Sequence, residues 1–166
     1  MVKLHLAHTS PINPPSSTPI LTLPQIWSGL QRKIRYAEEF VPMIASCTVL
    51  SDENGVVTRE VVFKPGQGPR ERAKEVVRGF EHAWVEFEQD DGTVIRNVIS
   101  RGSGRGEDGE GELYMTYLFE IDLVGIKEGE EEEESERVRL TAMAKKAVDS
   151  SIDVIREMVK DGRIKA

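Results

Sequence analysis

VRLTAMAKKAVDSSIDVIREMV, residues 138–159, is the stretch whose reading decides the fold. Leu140, Met143, Ala144, Ala147, Val148, Ser151, Ile152, Ile155, Met158 and Val159 recur at the three-and-four spacing that places them on one face of an α-helix. Lys145, Lys146, Asp149, Asp153, Arg156, Glu157 and Lys160 fall on the other face, and Gly162 stands where a helix C-cap is expected. An apolar face of this length needs a broad partner. Residues 45–123 read as short strands separated by turn signals, so the expected partner is an antiparallel sheet, with a cavity between a curved sheet and the helix.

Working outward, the segment 2–8 alternates Val2, Leu4 and Leu6 with Lys3, His5 and Ala7, the period of a half-buried strand. Residues 10–19 are dense in Pro and Ser and should connect. Thr22 caps a helix with Pro24 in its first turn, where a missing N–H costs nothing, and Ile26, Trp27, Leu30 and Ile34 form its stripe. Residues 37–44 suggest a second short helix broken by Pro42. Strands are then expected at 45–50 and 56–63, joined by Asn54-Gly55, and at 70–78, 83–89, 93–101 and 112–123. The reading is an α+β domain: a curved seven-stranded antiparallel sheet around a long C-terminal helix, with two short helices after the first strand.

Composition narrows the function classes. A chain of 166 residues fits one domain. Its net charge of -7, with basic residues scattered, argues against a nucleic-acid footprint. No apolar run approaches the roughly 20 residues of a membrane span, and the N-terminus lacks the zones of a secretory signal, so a cytoplasmic location is expected. Cys47 is the only cysteine, which leaves no internal disulfide, and its strand position favours a buried small hydrophobe over a reactive thiol. His5 and His8 face opposite sides of one strand, so no metal site is expected, and no cofactor.

Two runs invite over-reading. Residues 104–109, GRGEDG, match the spacing of a dinucleotide-binding loop, but such a loop must open a helix, whereas an alternating strand follows here. A hairpin tip explains it better. The acidic residues 128–136 suit a solvated segment ahead of a helix N-terminus, favoured by the helix dipole. Both 102–111 and 127–136 are expected to be mobile.

Strand alternation assigns the inward residues. Val57, Arg59, Val61 and Phe63 form one such set, Ala73, Glu75 and Val77 the next, and Leu113, Met115, Tyr117, Phe119 and Ile121 the last. Arg59 and Glu75 would then share an apolar interior, where pairing offsets the cost of burial. They are either a structural pair that fixes register or the polar groups that orient a ligand, and the expectation is that they serve the ligand more than the fold. Glu75 and Tyr117 are the candidate acid–base groups. Trp27, Phe40 and Met43 are candidates for the mouth, and Met143 and Met158 for an adaptable wall, although each also suits plain core. Trp84, alternating with Glu86 and Glu88, fits either core or surface.

Three stretches carry a resemblance: LTLPQIWSGL at 21–30, Phe40-Val41-Pro42, and LFEIDL at 118–123. With the element order they resemble the helix-grip fold of the START-like superfamily, also called SRPBCC, and within it the AtaL-like family of small fungal and bacterial proteins. The resemblance implies a hydrophobic or aromatic small molecule as partner, or cofactor-independent cyclase or isomerase chemistry, in specialised, polyketide-type metabolism. The residues leave open a binding protein, an enzyme of the same fold and a homodimeric stress module, as monomer or homodimer. The ligand-facing set under the first two readings is Arg59, Glu75, Val61, Phe63, Met115, Tyr117 and Phe119, with Trp27, Phe40 and Met143.

Overall fold

The computed structural model describes residues 2–67, 70–105 and 111–165. Strand β1 spans Val2–Pro11, helix α1 Leu23–Arg35, and strands β2 to β7 span Ile44–Glu53, Val56–Phe63, Arg72–Phe80, Trp84–Gln89, Val94–Arg101 and Leu113–Leu123. Helix α2, Glu131–Lys160, closes the order. The strands form one curved antiparallel sheet in the order β1-β7-β6-β5-β4-β3-β2, so five hairpins run in sequence and β1 returns to pair with β7.

Helix α1 starts as its sequence dictates. The Thr22 hydroxyl accepts from the Gln25 N–H at 3.4 Å while the Gln25 amide oxygen accepts from the Thr22 N–H at 3.0 Å, a reciprocal capping box. The second expected helix is reduced to one 3-10 turn, Ala37–Glu39. Pro42 can donate no backbone hydrogen bond and pushes Val41 toward extended geometry, and by Ile44 the chain is already paired with Phe63.

Helix α2 begins at Glu131, not at Val138, so the acidic run forms its first turns. The Glu133 carboxylate reaches back to the Gly129 N–H at 2.8 Å, and this bond holds its pKa below the usual carboxylate value. Four glutamates in the first turn also complement the positive end of the helix.

Burial follows the alternation. In β3 and β4, Val57, Arg59, Val61, Ala73, Glu75 and Val77 are buried, and in β7 Leu113, Met115, Tyr117 and Phe119. The opposite face is ionic: Arg96 of β6 bonds Glu86 of β5 at 2.7 Å and Glu120 of β7 at 2.6 Å. Trp84 lies on that face with Glu86 and Glu88, stacked on Phe80 at 4.6 Å. Cys47 departs from expectation and is only half-buried, because the outermost strand β2 keeps most of its residues exposed.

The two helices touch closely at one point. A Cβ built on Gly29 would lie 2.5 Å from Ile155 Cγ1, so only glycine lets α1 approach α2 there. Below them Leu30, Ile34, Val85, Phe87, Val148, Ile152 and Met158 share the main core with the inward residues of β7.

Candidate functional site

Both helices and strands β3 to β7 bring polar side chains into or beside this core. Lys33, from the last turn of α1, donates through Nζ to Asn97 Oδ1 of β6 at 3.0 Å and to the Tyr117 hydroxyl of β7 at 2.8 Å. Ser151 of α2 is buried in the same core, and its side chain acts to lower the pKa of that phenol. The ammonium also stands 4.4 Å from the Tyr117 ring centroid and 5.7 Å from that of Phe87 of β5, within reach of both π-faces. Asn97 is fully buried, and among the described residues its Nδ2 has no hydrogen-bond partner.

Beside this group lies the ion pair. Arg59 Nε donates to Glu75 Oε2 at 2.7 Å, the Gln89 amide donates to Glu75 Oε1 at 2.8 Å, and Arg59 and Glu75 are directly opposed in register. Arg59 Nη1 then donates to the carbonyls of Lys33 at 2.8 Å and Ile34 at 2.7 Å. These are orphan carbonyls at a helix C-terminus, where a cation is favoured. One polar line therefore runs from Gln89 through Glu75 and Arg59 to the backbone and side chain of Lys33, and on to Tyr117 and Ser151.

The electrostatics follow from burial. Loss of solvent pulls the Lys33 ammonium down to about 7, the Arg59 guanidinium adds to that, and the Glu75 carboxylate opposes it. Burial pushes the Tyr117 phenol well above its ordinary value, with Ser151 opposing. Among the described residues no carboxylate hydrogen-bonds Lys33, and both oxygens of Glu75 are taken by Arg59 and Gln89.

The structure sorts the expected ligand-facing residues into groups. Arg59, Glu75, Met115, Tyr117 and Phe119 do converge. Val61 and Phe63 instead join a smaller cluster with Ala37, Ile44 and Ala73 beneath the 3-10 turn. Phe40 is core, whereas Trp27 is half-buried and meets His82 edge-on at 5.9 Å, at the β4–β5 turn. Met143 is half-buried against the core, and Met43 is half-buried. The expected chamber between sheet and helix is packed with side chains. A cleft of about 100 Å³ opens beside it, between α1 and the β2–β3 hairpin. Ile34, Val57 and Val77 line it, with the Arg35–Asp52 ion pair, 2.7 Å, across its rim.

Lys33, Asn97, Ser151 and Gln89 were not singled out as site residues from sequence, although three of them carried a signal. Lys33 follows Leu30 by three and Ile26 by seven, on the apolar stripe of α1. Asn97 shares the parity of Ile95 and Ile99, and Ser151 sits within the stripe of α2. A polar residue on an apolar face is the informative exception. Residues 106–110 of the glycine-rich stretch lie outside the described residues, and the next described element after it is strand β7. Among the described residues no group of three or more His, Cys, Asp or Glu is placed to hold a metal ion, and no helix is long and apolar enough to cross a membrane.

A single curved antiparallel sheet closed on one long helix is a helix-grip fold. The chain belongs to the AtaL family: the family model "Acetylaranotin biosynthesis cluster protein L" matches residues 6–162. A relative with that same description, from Aspergillus terreus, is 26% identical over 160 residues, covering 95% of this chain and 91% of its own. Among solved structures, the Zhui aromatase/cyclase from a Streptomyces species superposes with a TM-score of 0.60 at 13% identity, over 96% of this chain and 94% of that one. The di-domain ARO/CYC StfQ from the steffimycin biosynthetic pathway gives 0.64 at 9% identity, covering 97% of this chain. The chain spans about half the length of such di-domain proteins, 52% of StfQ and 49% of BexL. At these identities the superpositions establish the fold alone.

Proposed function

We propose that this protein binds a hydrophobic or aromatic small molecule between the sheet and α2, in a pathway of specialised metabolism. The observation that carries this is the buried group Lys33, Asn97, Tyr117 and Ser151, set in an otherwise apolar interior with an unused donor on Asn97. Apolar sites for small molecules have this composition: much hydrocarbon and a few convergent polar atoms. The cleft over Val57 and Val77 is the approach, and rearrangement of the Met115, Met143 and Met158 side chains makes room, since thioether chains repack at low cost. The family's membership in a biosynthesis cluster, and the aromatase/cyclases among fold neighbours, support the setting.

Native mass spectrometry of freshly purified protein, compared with Tyr117→Phe and Lys33→Met, tests it. A co-purified small molecule that is depleted in both variants supports the reading. Retention unchanged in both would place the ligand elsewhere.

A second reading, a cyclase or isomerase acting by acid–base catalysis, is favoured by one observation. An amine titrating near 7 beside a phenol is matched to proton transfer at neutral pH. Glu75, the carboxyl candidate, is less available for proton transfer because Arg59 and Gln89 occupy both of its oxygens.

A further inference from the structure

The buried polar line is unbalanced in charge and in hydrogen bonding. It holds two cationic side chains, Lys33 and Arg59, against one carboxylate, Glu75, which Arg59 and Gln89 already use. Lys33 Nζ has three protons as an ammonium and two partners, Asn97 Oδ1 and the Tyr117 hydroxyl. Asn97 Nδ2 adds donors with no acceptor. The groups facing Lys33 are Arg59 of β3, Glu75 of β4, Phe87 and Gln89 of β5, Asn97 of β6, Tyr117 of β7 and Ser151 of α2. The line therefore lacks at least one acceptor and, with Lys33 protonated, one negative charge.

We propose that the ligand supplies both, as an acidic phenol or enol bound in its anionic form, its oxygen accepting from Lys33 Nζ and Asn97 Nδ2. This rests on the small-molecule reading above and names the chemical class that reading leaves open. A charged oxygen taken from water into an apolar interior is costly unless it is paired and hydrogen-bonded, and this line offers both. A neutral ether of the same shape would accept only weakly and leave the charge uncompensated, and a hydrocarbon would leave both the ammonium and the amide unmatched. Selectivity for an ionisable hydroxyl is the consequence, because a buried donor without an acceptor penalises the wrong ligand more than a good bond rewards the right one.

The test uses three coumarins of nearly equal size: 7-hydroxycoumarin, whose absorption reports its ionisation, 7-methoxycoumarin and unsubstituted coumarin. Binding to the full chain is measured near pH 6.5, where free 7-hydroxycoumarin is mostly neutral. The expected result is an anion band on binding and an affinity about tenfold or more above that of the methoxy compound. In Lys33→Met the band and the preference disappear while 7-methoxycoumarin still binds. Equal binding of the hydroxy and methoxy probes without an anion band overturns this inference and leaves the small-molecule reading standing. Binding of none of the three overturns both. The wild-type spectrum alone decides between these outcomes if a variant is unstable.

Discussion

Arg59 Nη1 donates to the main-chain carbonyl of Lys33 at 2.8 Å, so the guanidinium that pairs with Glu75 also holds the helix turn that carries the buried amine. Strand parity shows that Arg59 and Glu75 face inward together. It cannot show that the pair ends on a helix, and this contact gives the pair a structural task beside any role toward a ligand.

Glu75→Gln is accordingly expected to destabilise the protein by about 3–5 kcal/mol, the cost of leaving one partner of a buried pair uncompensated. Arg59→Met should also destabilise, since the carbonyls of Lys33 and Ile34 lose their donor. Urea unfolding of both singles and the double variant checks this. Recovery of stability in the double variant would confine the cost to the unmatched charge, whereas stability unchanged in Glu75→Gln would give the pair to the ligand.

Lys33 imposes a pH dependence of definite sign. Its folded pKa, about 7, lies below its ordinary value of 10.5, so between these values the unfolded chain binds more protons and stability rises with pH. The rise approaches a few kcal/mol, on the order of 1.4 kcal/mol for each pH step across that range. Near pH 10 the Tyr117 phenol begins to oppose it, because its raised pKa favours the unfolded state in alkali. Lys33→Met should flatten the rise between about pH 7 and 10 and be more stable than the parent at neutral pH. Chemical denaturation across that range reads both.

Gly29→Ala should cost about 1–3 kcal/mol despite alanine's better helix propensity, because its methyl would overlap Ile155. Combining it with Ile155→Ala should cost less than the sum of the two singles, as expected for residues in direct contact. Additive losses would show that the helices separate without strain.

The acidic start of α2 is expected to fray even though it is helical, since four consecutive glutamates repel one another. Amide exchange should be faster over 131–136 than over 148–158, and acidification below the Glu133 pKa should accelerate it further as the bond from Gly129 is lost. Deleting residues 130–134 should leave ligand affinity within a factor of about three, as surface changes usually do.

The sheet, the bounds of β3 to β7 within two residues and most of the inward sets of β3, β4 and β7 were legible because period-two alternation and turn residues such as Asn54-Gly55 speak locally, whereas β1 and β2 each run three residues further at their C-terminal ends than the alternation suggested. The early start of α2 was not, because repelling charges mask helix propensity, and only the return of Glu133 to Gly129 reveals the cap. The heart of the candidate site was half visible. Tyr117 was found through its strand parity, but Lys33 was hidden by the habit of assigning lysine to solvent. Its burial depends on where β6 and β7 lie relative to α1, which no local pattern specifies.

The pairing of β1 with β7 also bears on how the chain is made. The first strand cannot begin to pair with its neighbour until residue 114 has been synthesised, nor finish until residue 123, and α2 comes later still. While β2 to β6 meet their partners through short hairpins, β1 must wait, and closing so long a loop carries an entropic cost before any contact rewards it. Folding should therefore be slow for a domain of this size. A ribosome stalled before residue 113 would hold a nascent sheet with Leu4 and Leu6 unmatched, a substrate for chaperones.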